Sequence, residues 1–89
     1  MITTKTWHVD VFVYEEGEHT KADAVLHTDA GTELRSSGIA RKNPTDREVP
    51  EIGDELAVCR ALSELSHRLL IAASNDVEEN VGMEVRLAE

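Results

Sequence analysis

The sequence predicts an α+β domain in which three antiparallel strands are followed by one long helix, in the order β-β-β-α. Three features carry this expectation. Apolar and polar residues alternate along three N-terminal segments, short glycine-containing connections separate those segments, and after Pro50 apolar residues recur at spacings of three and four. The 89 residues suffice for one domain, spanning 1–89, with a single modest core.

The first strand runs from about Lys5 to Tyr14, with Trp7, Val9, Val11 and Val13 on one face and His8, Asp10, Phe12 and Tyr14 on the other. Only 3% of residues are aromatic, so Trp7 is expected to be the largest piece of the core. The polar segment Glu15 to His19 contains Gly17 and reads as a hairpin loop. Lys21 to Thr28 then alternates again, with Ala22, Ala24 and Leu26 on the apolar face. Asp29, Ala30 and Gly31 form a three-residue connection whose glycine can adopt the left-handed conformation that such hairpins require.

The third strand extends from about Thr32 to Lys42, and its core row is Leu34, Ser36, Gly38 and Ala40. Side chains this small let a helix approach the sheet closely. Asn43-Pro44 and Val49-Pro50 bracket an extended crossing loop, because a residue before proline is biased away from helix. In the helix the expected apolar stripe is Leu56, Cys59, Leu62, Leu65, Leu69, Ala72 or Ala73, and Val77, with Cys59 as a core residue. Unbroken to Asn80, the helix would be roughly 40 Å long against about 27 Å for an eight-residue strand. Either it breaks near Ser74, where Asn75 and Glu78 resemble a capping pair, or its overhang packs on another subunit. Gly82 ends it, and Met83, Val85 and Leu87 alternate as in a short edge strand.

Face parity confines the first hairpin to odd sums of paired residue numbers, since a one-residue slip would turn every apolar side chain to water. A sum of 35 suits the loop and sets His8 opposite His27; the second hairpin sums to 60 and sets His27 opposite Glu33. One row of the open face therefore reads His8, His27 and Glu33, the donor chemistry of a zinc or nickel site. Phe12, Tyr14, Val25 and Ile39 occupy the same face within a charged rim, the pattern of a protein-binding surface. Arg41, Lys42 and Arg47 concentrate positive charge near the helix N-terminus, where free amides also attract anions, and are the candidates for phosphate or RNA contact.

A formal charge of −9 argues against broad nucleic-acid binding. One cysteine excludes an internal disulfide, and neither a signal peptide nor a transmembrane run is legible, so a cytoplasmic setting is expected. Cys59 and His67 lie about 12 Å apart along one helix, too far to share a proton, and no nucleophile triad or phosphate loop can be read. No catalytic residues and no cofactor are expected.

The strings KTWHVDVFV, HTDAGTEL, GIARKNP, DREVPEIGDELAVCRALSEL and the terminal VRL resemble a family of small uncharacterised actinobacterial proteins. The resemblance covers nearly the whole chain. It implies a fold likened to double-stranded-RNA-binding domains, and a role likened to ribosome hibernation-promoting factors in stress or dormancy. Three functions are expected in order: a non-enzymatic homodimeric interaction module, with a protein partner or the translation machinery as its target; direct RNA or ribosome binding; and small-ligand or metal binding through His8, His27 and Glu33.

Overall fold

The computed structural model describes residues 1–41 and 50–81. It contains β1 (His8–Glu16), β2 (His19–His27), β3 (Glu33–Arg41) and α1 (Pro50–Val81), with the strands in the order β1-β2-β3. Both expected registers hold: His8 pairs with His27 and His27 with Glu33, and every other pair keeps the same sums.

The first hairpin is tighter than its polar sequence suggests. Glu15 pairs with Thr20 and Glu16 with His19, which leaves only Gly17 and Glu18 in the turn. Backbone pairing does not require apolar side chains, so the ladder continues through the polar segment. Gly17 has φ +62°, and none of the described non-glycine residues has positive φ, as a type II′ turn asks of its first central residue. In the second hairpin the Thr28 amide donates to the Thr32 carbonyl at 3.0 Å and the Gly31 amide to the Thr28 carbonyl at 3.2 Å. Gly31, at φ +82°, supplies the left-handed residue of the expected three-residue loop.

Helix α1 runs over β3 and β2, and its fit depends on small residues. The buried cluster is Ala22, Ala24 and Leu26 of β2, Ala40 of β3, and Ala57, Ala61 and Leu65 of α1. A methyl group at Gly38 would collide with the Ala57 carbonyl oxygen and the Ala61 amide, and would lie 2.9 Å from the Arg60 carbonyl carbon. Beside it the buried Ser36 Oγ donates to the Ala61 carbonyl at 2.7 Å, so the sheet's one buried hydroxyl is satisfied by the helix itself.

Two expectations are corrected here, and the alternatives for the helix end are decided. The packed stripe is Ala57, Ala61 and Leu65, whereas Leu56, Cys59 and Leu62 are exposed. Trp7 is not a core residue: it is half exposed, and its indole N–H donates to Asp29 Oδ1 at 3.0 Å. The helix does not break at Ser74 but continues to Val81, which makes it about 48 Å long beside strands of about 30 Å. Pro50 opens it at the position where a missing amide is harmless, and Glu51 complements the dipole in the first turn. The crossing loop, Gly82 and the expected tail strand lie outside the described residues.

Replacing Gly38 by alanine is expected to destabilise the fold by about 2–3 kcal/mol, since the obstruction is helix backbone and cannot swing aside. Urea unfolding of G38A with an unchanged denaturant slope measures this directly.

Candidate interaction surface

On the open face of the sheet, Phe12, Tyr14 and Ile39 are all exposed, as a protein-binding surface requires. Val25 lies on the same face but is only 3% exposed, between Asp10 and Arg35 on the flanking strands, and so offers no contact area. Lys21 sits between Tyr14 and Ile39, which divides the remaining apolar residues. Its Nζ donates to Glu16 Oε2 at 3.0 Å, and that bond together with the carboxylate's charge raises the lysine above its ordinary value. Other polar groups here also meet one another: Ser37 Oγ donates to Asp23 Oδ1 at 2.8 Å, and Arg35 Nη2 to Glu33 Oε1 at 2.8 Å.

These pairings bear on the expected metal row. His8, His27 and Glu33 share one line across the sheet, as the registers dictate. His27 Nε2 is nevertheless 3.1 Å from Asp10 Oδ2, and Glu33 is engaged by Arg35. Among the described residues no three His, Cys, Asp or Glu side chains are grouped so as to hold a metal ion. Sharing a row places ligands on one face, but it does not make their donor atoms converge. Of the basic cluster, Arg41 is exposed at the end of β3 opposite His19. Lys42 and Arg47 lie outside the described residues.

A second exposed apolar surface among the described residues is on the other side of the sheet. Every residue of β1 is exposed, including Val9, Val11 and Val13, whose side chains face the helix layer. Helix positions 60, 64 and 68 line a groove along β3, so the opposite flank of α1, with Val58, Leu62 and Leu69, leans toward β1. Val58 and Leu69 pack against the edge of the core, and Leu62 is 42% exposed. A valine row and a leucine stripe thus meet at an angle along an open trough, a feature that strand alternation alone does not reveal.

The sequence profile of the Rv2632c-like family matches residues 5–86. The chain belongs to that family. It is 46% identical over 81 residues to the uncharacterised protein Mb1767 of Mycobacterium bovis, an alignment covering 91% of this chain and 85% of that protein. To the uncharacterised protein Rv2632c of Mycobacterium tuberculosis it is 45% identical over 74 residues, covering 83% and 78%. The crystal structure of Rv2632c superimposes with a TM-score of 0.82 at 40% identity, covering 92% of this chain and 96% of that one. The three-stranded sheet followed by one long helix is therefore shared within the family. No described helix is long and apolar enough to cross a membrane.

Cys59, expected in the core, stands on the outer surface of α1 with Leu62, Ser63, Ser66 and His67. One thiol per chain is therefore expected to react with Ellman's reagent in the native protein as fast as in urea. Protection of the native thiol would place Cys59 beneath a partner.

Proposed function

We propose that this chain is a non-catalytic interaction module that works as a homodimer, joined through the trough between β1 and the flank of α1. The observation that carries this reading is β1 itself, a nine-residue strand exposed along its whole length although its helix-side row is valine.

A second copy suits the trough because one chain carries both apolar rows. The leucine stripe of one protomer can cover the valine row of its partner, and two-fold symmetry repeats the contact in reverse. Stress or dormancy as the setting, with the translation machinery as the dimer's target, is supported by the resemblance to proteins likened to hibernation-promoting factors. The charge of −9 favours a protein contact there over a phosphate contact.

Light scattering is expected to give about twice 9.8 kDa for the native protein. Val11→Asp should yield a monomer that keeps its far-UV circular dichroism, with Trp7 emission shifted to the red, because the substitution touches the trough and not the Ala57–Ala61 seam. A monomeric native protein at tens of micromolar would overturn the dimer. Sedimentation with ribosomes tests the target: a protein-mediated contact persists at moderate salt, whereas a phosphate contact weakens steeply and is lost in Arg41→Glu.

A further inference from the structure

The trough accounts for one flank of α1, and the opposite flank carries a separate groove of about 580 Å³ along the outer edge of β3. Its lining includes Arg35, Ser37 and Ile39 from the strand and Arg60, Glu64 and Arg68 from the helix. Three of the nine basic residues in a chain of net charge −9 line this one groove. Most of each guanidinium remains available: Arg35 uses Nη2 on Glu33, Arg60 uses Nη1 on the Ile39 carbonyl at 2.6 Å, and Arg68 uses Nε on Glu64 at 3.2 Å.

The strand edge supplies a second kind of complementarity. Thr28 and Thr32 form a hydrogen-bonded pair, and antiparallel pairs alternate, so the even residues of β3 direct their amides and carbonyls to β2. Arg35, Ser37 and Ile39 then direct theirs outward, which the bond from Arg60 to the Ile39 carbonyl independently reflects. Arg60 closes the edge at Ile39. Among the described residues no strand pairs with Arg35 and Ser37 on this side, and they present two amides and two carbonyls toward the groove, between cationic walls.

The geometry points to a binding site for an acidic peptide that adds to β3 as a fourth strand. Arg60 and Arg68 are two helical turns apart, about 12 Å, and four residues of an extended peptide span about 13 Å. Carboxylates four positions apart on the helix-facing side of the peptide would therefore meet both arginines. The residue midway between them faces Glu64 and must be neutral or basic. The recognised pattern is acidic-x-neutral-x-acidic, held by strand pairing and read by charge. No aromatic side chain lines the groove to stack a base, so a peptide is favoured over single-stranded RNA.

The test uses the full chain and a fluorescein-labelled heptapeptide of alternating threonine and valine with glutamate at its second and sixth positions. Anisotropy should report saturable binding, and the amide signals of Arg35 and Ser37 should shift on titration. Arg68→Glu, at an exposed site that leaves the core intact, should weaken binding about tenfold. A peptide with lysine for glutamate should fail to bind, and so should one N-methylated on its edge-facing amides. Val11→Asp should leave the affinity unchanged, which separates this site from the dimer face. The proposal is overturned if the heptapeptide does not bind, if N-methylation has no effect, or if an oligouridylate of equal length binds the groove in its place.

Discussion

Close contact between the glycine of β3 and the backbone of α1 is the constraint on which the rest of the structure depends. At Gly38 the sheet offers the helix no side chain, and the helix answers with Ala57 and Ala61, so the two backbones come too close for even a methyl group between them. Ser36 then reaches the Ala61 carbonyl, a bond that a thicker interface would put out of range. Leu65 and Leu26 complete the buried cluster beside this contact. The axial position and the rotation of α1 follow from that one seam.

Once the helix is seated there, the exposure of β1 is a matter of dimensions. An α-helix with its side chains is about 10 Å across, while neighbouring strands are about 4.8 Å apart. One helix therefore covers two strands, and centring it on β3 and β2 leaves the third bare. The valines of β1 are therefore left apolar and exposed beside the helix that covers β2 and β3. The same displacement opens the groove on the β3 side, so both flanks of the helix owe their character to where Gly38 lies.

Much of this was legible from the residues. Face parity and loop length determined both hairpin registers, because a slip would have exposed Ala22, Ala24 and Leu26 together. The small row Ser36, Gly38 and Ala40 announced a close helix. What could not be read was which side of that helix packs. Hydrophobic periodicity weighs Leu56, Cys59 and Leu62 above Ala57 and Ala61, yet a surface built of glycine and serine accepts alanines and rejects leucines. Shape complementarity decided the matter, and shape is a property of the pair of surfaces rather than of either segment. Val25 departs from expectation for a related reason: alternation assigns a face, while burial depends on the length of the neighbouring side chains. For the metal row, register places the residues on one line but does not bring their donor atoms together.

The order of the elements along the chain has a consequence for synthesis. Each strand pairs with its immediate predecessor, so the sheet can form step by step as the polypeptide emerges. A three-stranded sheet without cover on its apolar face is marginal in water, however, and the residues that cover it are made after it. Until Leu65 and Leu69 have left the ribosome, the nascent hairpins have no helix to dock against. Stable folding of the sheet therefore waits on the helix, and the valines of β1 are already displayed before it docks.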